Sequence, residues 1–512
     1  MLVKIYASAV HGIKALTITV EVALTQGVKL YMVGLPDVAV KESEYRIRSS
    51  FENNGFSFPA QSVVINMAPA DIRKEGSAFD LPIAVGLLAV TNQLPSARLA
   101  DCIIMGELSL DGKLQPIRGA LPIAIQAREE EYKTLILPKA NAQEAAVVNN
   151  LEVYGAESLE QVVRFLRGDA TALEQTLCNT RERFAAEANA YDDDFADVKG
   201  QESVKRAMEV AAAGGHNIIM VGPPGSGKTM LAKRLPTILP PLTLREALET
   251  TKIHSVVGGL PAGTGLLKVR PFRSPHHTIS DVALVGGGQY PQPGEISLAH
   301  HGVLFLDELP EFKRTVLEVL RQPLEERKIT ISRAKQSVEY PASFMLVASM
   351  NPCPCGYATH PTKQCVCTPQ QIRHYLNKIS GPLLDRIDIH IEVIPVPFEK
   401  LAKAPEGDSS ATIRARVVKA RQIQEERFVK HDIHCNAQMN SQMIREYCGL
   451  NAECIELLKN AMLRFNLSAR AYDRILKVSR TIADLESSTD IQMPHLAEAI
   501  QYRALDREGW LG

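Results

Sequence analysis

A glycine-rich octapeptide between an apolar strand and a helical segment constrains this chain more than any other feature of its sequence. The octapeptide GPPGSGKT follows the apolar run NIIMV and precedes MLAKRL. A loop that leaves a buried strand and opens a helix directs backbone N–H groups and the helix dipole to one point, where phosphate groups bind. The sequence therefore predicts a nucleotide-phosphate site. Its residues are Gly222, Pro223, Pro224, Gly225, Ser226, Gly227, Lys228 and Thr229.

Polar residues at the ends of two further apolar strands complete this site. In VLFLDE, Asp307 is placed to hold a Mg²⁺ ion together with the Thr229 hydroxyl, and Glu308 to orient and deprotonate the attacking water. Lys228 is expected to reach the β- and γ-phosphates, and Asn351, at the end of FMLVASMN, to position the water or the γ-phosphate. Together these residues predict an enzyme that hydrolyses ATP with Mg²⁺ as cofactor.

The strand and helix patterns divide the 512-residue chain into several domains. The strands around the phosphate loop are apolar on both faces, which is typical of a parallel sheet covered by helices. We predict an α/β protein with an α+β domain over residues 1–168, a linker over 169–197, an ATPase core over 198–397 and a helical domain over 398–512. The acidic run at 192–194 is expected to be a solvated turn.

Bulk composition limits the partners. The formal net charge of −1 means that any contact with nucleic acid must come from a local basic surface. No apolar run approaches the ~18 residues that span a bilayer, and the N-terminus lacks the features of a signal peptide. We therefore expect a cytoplasmic protein without a membrane partner.

Four of the nine cysteines form a cluster directly after Asn351. In a reducing compartment such a cluster favours a metal over disulfides, and four thiolates suit structural Zn²⁺. The alternatives are four reduced thiols, or a site in which His360 replaces one of them. The predicted zinc ligands, in an insertion spanning 353–367, are Cys353, Cys355, Cys365 and Cys367.

Several motifs together resemble one group of P-loop proteins. The chain is similar to AAA+ ATPases of the magnesium-chelatase-like group and, within it, to the ComM/YifB family. The resemblance implies a P-loop AAA+ core with a C-terminal helical lid, assembled as a homo-oligomer, a hexameric ring. Besides the octapeptide, it rests on FRSPHHT (272–278), GEISLAHHGVLFLDE (294–308), SMNPCPCG (349–356), SGPLLDRIDIHIEV (380–393) and LSARAYDRILKVSRTIADL (467–485).

The resemblance also implies roles for two arginines. Arg386, in LLDRID, resembles the arginine finger that reaches the γ-phosphate bound by the next subunit. An arginine that merely pairs with a neighbouring aspartate is the alternative. Arg470 resembles the sensor-2 arginine of the lid, with Arg474 as a competitor for the role.

Residues 1–168 resemble the Lon-protease-like domain, which has the ribosomal S5-type fold. The segments that carry the serine and lysine of active Lon proteases correspond to residues 74–88 and 105–127. Ala78 then stands at the serine position and Leu121 at the lysine position, with Ser77 one residue away. Because a serine nucleophile needs a neighbouring base, we expect no peptidase activity.

Two basic segments indicate contact with DNA. Residues 326–341 predict a hairpin, which in this AAA+ branch points into the pore of the ring, with Arg333 and Lys335 at its tip. Such residues contact phosphates without reading sequence. An exposed basic turn without function is the alternative for the hairpin. The second basic segment contains Lys268, Arg270 and Arg273.

The resemblance implies an ATP-dependent hexameric DNA motor that migrates branches in homologous recombination and natural transformation, on single-stranded, duplex or branched DNA. Three alternatives belong to other classes: a chelatase-type remodeller of a protein partner, a Lon-like ATP-dependent protease, and a scaffold without enzymatic activity. The Lon-like N-terminal domain argues against the chelatase-type remodeller, and the missing dyad argues against the protease. The intact phosphate site argues against a scaffold without enzymatic activity.

Overall fold

The chain forms two compact units in a computed structural model. The first comprises Met1–Ala188 and Thr243–Lys268, and the second Asn189–Leu242 and Val269–Gly512. Each unit has its own buried apolar core. Among the described residues no helix combines the length and apolar character needed to cross a membrane. The residues that the structure describes are 1–179, 191–261, 263–288, 291–333, 336–397 and 407–503.

The first unit is built on a mixed sheet flanked by helices, as expected for an α+β domain. Its strands are β1 (Leu2–His11), β2 (Lys14–Thr25), β3 (Leu30–Val33), β4 (Ser62–Ala68), β5 (Cys102–Ile104), β6 (Glu107–Leu108), β7 (Leu114–Gln115), β8 (Thr134–Pro138) and β9 (Glu152–Ala156). Its helices before the linker are α1 (Val38–Lys41), α2 (Ser43–Asn53), α3 (Asp80–Val90), α4 (Ala120–Glu129), α5 (Lys139–Ala145) and α6 (Leu159–Leu166).

The main sheet of this unit has the order β3-β4-β2-β1-β5-β8-β9. Strands β1, β2 and β4 pair antiparallel, whereas the other neighbours in the order pair parallel. Helix α3, which is apolar on every side, is buried over its whole length and packs on β1 and β2.

The second unit holds the phosphate loop and the lid. Its strands are β10 (Ile218–Val221), β11 (Phe272–Arg273), β12 (Gly286–Gly287), β13 (Gln292–Pro293), β14 (Val303–Leu306), β15 (Lys328–Arg333), β16 (Gln336–Pro341), β17 (Met345–Met350) and β18 (Ile389–Glu392). The remaining α-helices among the described residues are α7 (Glu202–Gly214), α8 (Lys228–Ile238), α9 (Leu244–Val257), α10 (Asp281–Val285), α11 (Glu295–Leu298), α12 (Arg314–Glu318), α13 (Arg321–Glu326), α14 (Pro369–Leu376), α15 (Gly381–Leu384), α16 (Ser410–Arg427), α17 (Ser441–Tyr447), α18 (Ala452–Phe465), α19 (Ala469–Leu485) and α20 (Met493–Gln501).

Helix α9 departs from the predicted boundaries. We placed residues 243–268 in the ATPase core, but they group with the first unit. The Ser255 hydroxyl donates a hydrogen bond to the buried Glu144 carboxylate, and the backbone N–H of Gly119 donates to Ser255 O at 3.0 Å. These contacts join α9 to α4 and α5, partners more than a hundred residues earlier in the chain.

The sheet of the second unit brings the predicted site residues to one edge. Its order is β11-β14-β17-β10-β18, and every neighbouring pair is parallel. The prediction of a buried parallel sheet is thereby confirmed. Because β17 lies between β10 and β14, its carboxyl end delivers Asn351 between the phosphate loop and the acidic pair. The sheet therefore positions the whole site.

The end of the predicted linker is more ordered than a solvated turn. Phe195 is fully buried in the second core, and Asp194 caps the short 3₁₀ helix Phe195–Asp197. The same Asp194 carboxylate accepts the backbone N–H of Ser410 at 3.0 Å. The acidic run thus connects the first lid helix to the core, since α16 begins at Ser410. The part of the linker at 180–190 lies outside the described residues.

Candidate ATPase site

The phosphate loop begins with a close backbone approach. Strand β10 is buried throughout, and the chain leaves it at Gly222. A Cβ atom at Gly222 would lie 2.2 Å from the carbonyl oxygen of Val393, so only glycine fits there. Helix α8 then begins at Lys228, with Gly227 as a left-handed N-cap. The loop therefore joins a rigid strand to a helix N-terminus, as the sequence predicts.

The side chain of Lys228 is buried within the phosphate loop. Its ammonium donates hydrogen bonds to Gly222 O at 2.7 Å and Pro223 O at 2.9 Å, and it lies 3.3 Å from Asn351 Oδ1. Burial lowers the pKa of Lys228, an effect that the charges of Asp307 and Glu308 oppose. The structure thus brings Lys228 and Asn351 together at one point.

A pair of hard oxygen ligands lies beside the lysine. The Thr229 hydroxyl donates to Asp307 Oδ2 at 2.7 Å, and the second oxygen, Oδ1, accepts from Ser349 Oγ and from the backbone N–H of Glu308. A hydroxyl next to a carboxylate at the mouth of a phosphate loop fits Mg²⁺. Sequence reasoning missed Ser349, although a serine in an otherwise apolar strand is a usable signal.

Glu308 differs from its neighbour in orientation. Its backbone is left-handed, with φ of 53°, and its side chain is 55% exposed. This places the carboxylate outside the tight network around Asp307, where it can accept a proton from water. Its oxygen lies 3.8 Å from Nδ1 of His277, a residue of the FRSPHHT motif to which we assigned no role.

The predicted finger Arg386 is buried in this chain. Its guanidinium forms an ion pair with Glu325 at 2.5 Å and donates to the carbonyl oxygen of Pro382. It is only 7% exposed, and within the part of the chain that the structure describes its Nε has no hydrogen-bond partner. To reach a neighbouring subunit, Arg386 must release Glu325.

The structure separates the two candidate sensor arginines. Arg474 makes a buried ion pair with Asp388 at 2.7 Å, and Asp388 also contacts His216. Although burial alone would raise it, the charge of Arg474 keeps the pKa of Asp388 well below its usual range. Arg470 instead is 64% exposed and lies 3.6 Å from Asp385, next to Arg386 in the chain. Arg470 is therefore the more exposed of the two.

The cysteine cluster has the geometry of a metal site. The sulfur of Cys353 lies 3.3 Å from that of Cys355 and 3.7 Å from that of Cys365, and Cys355 and Cys365 are 3.6 Å apart. Cys367 completes a group whose ligand atoms all lie within 4.8 Å. A disulfide needs about 2.05 Å, whereas zinc–sulfur bonds of about 2.3 Å in a tetrahedron place sulfurs about 3.8 Å apart. His360 is outside this group, and its Nδ1 accepts backbone N–H groups.

One thiol of the cluster, Cys355, has a lowered pKa. The pKa of Cys355 falls to about 6; burial opposes this, but the backbone N–H groups of Tyr357 and Val366 and the neighbouring thiols stabilise the anion. Thiolate is the form that binds metal.

In the N-terminal unit, the hydrogen-bond partner of the Ser77 hydroxyl is a glutamate and not a lysine. The Ser77 hydroxyl donates to the Glu107 carboxylate, and Ala78 follows it. Leu121 is fully buried, and its backbone N–H donates to Glu144 at 2.9 Å. At the predicted dyad positions the structure thus has two apolar side chains, which cannot act as nucleophile and base.

The predicted DNA-contacting hairpin forms, with β15 paired to β16 in antiparallel register. The side chain of Arg333 and the whole of Lys335 lie outside the described residues. In the other basic segment, Arg273 pairs with Glu295 at 2.6 Å and Arg270 donates to Pro240 O. Both of those arginines are thus engaged with the protein itself.

Comparison with known proteins identifies the family. Three family profiles match: "Magnesium chelatase, subunit ChlI" at residues 194–401, "Subunit ChlI of Mg-chelatase" at 20–141 and "Magnesium chelatase, subunit ChlI C-terminal" at 407–503. The chain is 46% identical to "Competence protein ComM" of Haemophilus influenzae, over 98% of this chain and 97% of that protein. It is 45% identical to YifB of Escherichia coli, with the same coverage.

The N-terminal unit has a separate similarity. Over 28% of this chain and 27% of the relative, the sequence is 33% identical to "Lon protease 2" of Bacillus subtilis. The expected resemblance to Lon proteases is thereby confirmed for part of the chain. Full-length identity and a complete phosphate site together show that the chain belongs to the ComM/YifB family of magnesium-chelatase-like AAA+ ATPases.

Proposed function

We propose that this ATPase is a hexameric DNA motor that drives branch migration in homologous recombination and natural transformation. The observation that carries the proposal is similarity over nearly the whole chain to a protein named for competence, the uptake of DNA. It is joined to a phosphate loop in which Lys228 lies 3.3 Å from Asn351 and the Thr229 hydroxyl donates to Asp307. ATP and Mg²⁺ bind at the phosphate loop. Arg386 and Arg470 supply charge at the interfaces of the ring.

The N-terminal unit favours this function over a Lon-like protease. A Lon-like protease needs a serine and a neighbouring lysine base, and this chain has Ala78 and Leu121 at those two positions. A chelatase-type remodeller remains as the second candidate, supported by the family profiles. DNA dependence distinguishes the two, because a remodeller acts on a protein partner.

A four-way DNA junction with one labelled arm tests the proposal. With ATP and Mg²⁺ the full-length protein should convert the junction to two duplexes, and without ATP it should not. A Lys228→Ala protein is the matched control for contaminating activities. If the junction stays intact with active, ATP-hydrolysing protein, the chain is not a branch-migration motor.

The hairpin tip should carry much of the DNA affinity. In a ring, each subunit contributes one hairpin tip at the central pore. The copies of Arg333 and Lys335 would therefore give the pore a high positive charge density. Replacing both with Ala should lower DNA-stimulated hydrolysis and branch migration while basal ATPase and oligomerisation survive. The salt dependence of DNA binding should become shallower by roughly one unit for each DNA phosphate that the variant no longer neutralises.

A charge-matched control separates the hairpin from bulk electrostatics. Lys430 and Lys459 are exposed and lie in the lid region, so their double Ala variant loses the same charge elsewhere. If both double variants bind DNA equally well at several salt concentrations, the hairpin is not the gripping element.

We also propose that the cysteine cluster holds a structural Zn²⁺. Protein purified without chelators should carry about one zinc per chain, measured by elemental analysis. Cys355→Ser with Cys367→Ser should remove it, whereas Cys178→Ser, outside the cluster, should not. Protein that carries no metal would contradict the site.

A further inference from the structure

The cysteine cluster and the phosphate loop are in direct contact. Gly356 belongs to the tight turn after Cys353, closed by a hydrogen bond from Gly356 N to Cys353 O at 2.9 Å. A Cβ atom at Gly356 would lie 2.5 Å from Cδ and 2.8 Å from Cγ of Pro224. The backbone of the turn therefore rests on the proline ring in the middle of GPPGSGKT.

The same turn is connected to the other side of the site. Asn351, which contacts Lys228, lies two residues before Cys353 in the chain. Cys353 is fully buried, so the first sulfur of the cluster is anchored in the second unit. The turn thus packs against the phosphate loop at Pro224 and is joined to Asn351 through two residues of chain.

The contacts within this segment are local, such as the hydrogen bond from His360 N to Tyr357 O. Residues 352–367 contain turns and irregular backbone, with neither helix nor strand. A loop of this length has many alternative conformations, and a metal that joins its two ends removes most of them. Without such a link, the turn at Gly356 loses its connection to the far end of the segment at Cys365 and Cys367.

We propose that the metal held by the four cysteines fixes the phosphate loop in its binding conformation, so that nucleotide affinity depends on the metal. The inference rests on the zinc site and the ATPase activity proposed above. A loop that is ordered in advance loses less entropy when it binds phosphate. Loss of the metal should therefore weaken ATP binding, with a smaller effect on the rate of hydrolysis at saturating ATP.

Gly356→Ala tests the contact without touching a ligand. The added methyl group meets Pro224, and Gly356 also has a left-handed backbone, with φ of 83°. Gly55→Ala is the control for backbone strain, because Gly55 has φ of 72° and no atom within 4 Å of its Cβ position. With a fluorescent ATP analogue, Gly356→Ala should bind roughly tenfold more weakly, the cost of ordering about one residue. Gly55→Ala should bind like the parent.

The cysteine variants test the metal itself. Cys355→Ser with Cys367→Ser should lose zinc and weaken binding of the analogue by a similar factor, raising the KM for ATP more than it lowers kcat. Adding Gly356→Ala to this variant should cause little further loss of affinity, because both changes release the same turn from Pro224. Circular dichroism of every variant checks folding, and Pro224→Ala provides a second, unstrained removal of the contact.

The outcomes separate this inference from those on which it rests. If the parent protein carries no zinc, the zinc-site proposal is wrong. If the parent protein does not bind the analogue, the ATPase proposal is wrong. If the parent has both, and zinc-free, folded protein binds the analogue as tightly as the parent, the metal does not fix the loop. Equal affinities of the Gly356→Ala and Gly55→Ala proteins would also overturn the inference.

Discussion

Replacement of Glu308 by Gln is expected to stop ATP turnover while leaving ATP bound. The amide keeps the size of the side chain but cannot accept the proton of the attacking water, so hydrolysis should fall by about 10²- to 10⁴-fold. Binding should survive, because the Glu308 carboxylate lies outside the hydrogen-bond network of Lys228, Thr229 and Asp307. Single-turnover hydrolysis and binding of a fluorescent ATP analogue give the two readouts.

Lys228→Ala is the contrasting variant. It removes the cation that faces the phosphates, so both binding and hydrolysis should be lost. If the two variants lost nucleotide affinity equally, the separate roles assigned to Lys228 and Glu308 would be wrong.

Replacement of Arg386 by Ala is expected to leave ATP affinity nearly intact and to cut turnover by about 10³-fold or more. In the proposed ring, Arg386 of one subunit would stabilise the transition state at the site of the next. Mixing Arg386→Ala with Lys228→Ala protein should therefore restore part of the hydrolysis. Some interfaces then pair an intact phosphate loop with an intact arginine.

The ion pair with Glu325 provides the control for this experiment. Arg386 must leave that carboxylate to reach a neighbouring phosphate. Glu325→Gln removes the carboxylate but keeps the arginine, so it should retain hydrolysis. Absence of rescue on mixing would mean that Arg386 acts within its own subunit or not at all.

The parts of the site that are local in sequence were predictable. The phosphate loop, the acidic pair and Asn351 each follow an apolar strand, and parallel strands bring their carboxyl ends to one edge. Strand order was not needed, because every such end lies on the same side. The four cysteines fall within fifteen residues, so their cluster is a local feature as well.

The groups that sequence reasoning missed depend on distant pairings. Glu325 meets Arg386, and Arg474 meets Asp388, across 61 and 86 residues of chain. Nothing in the sequence around Glu325 or Asp388 indicates which arginine it pairs with. Ser349 was missed because an apolar pattern predicts that 345–350 form a strand. It does not show that the polar residue within that strand faces the site.

Helix α9 shows the same limit at the level of domains. The helix begins with a capping box formed by Thr243 and Glu246, and nothing local indicates which unit it packs on. The decisive contacts are long-range: Ser255 with Glu144 and Gly119. Tertiary packing, and not helix propensity, decides where such a segment belongs.

The rate of ATP hydrolysis with and without DNA tests the central claim most directly. The full-length protein should be compared with no DNA, single-stranded DNA, duplex and a four-way junction of equal nucleotide concentration, with Glu308→Gln protein as the blank. We predict that DNA raises the rate, that the branched substrate does so most, and that the stimulation falls steeply with salt. An ATPase rate that is the same with every DNA and without any would contradict a DNA motor and favour a remodeller of a protein partner.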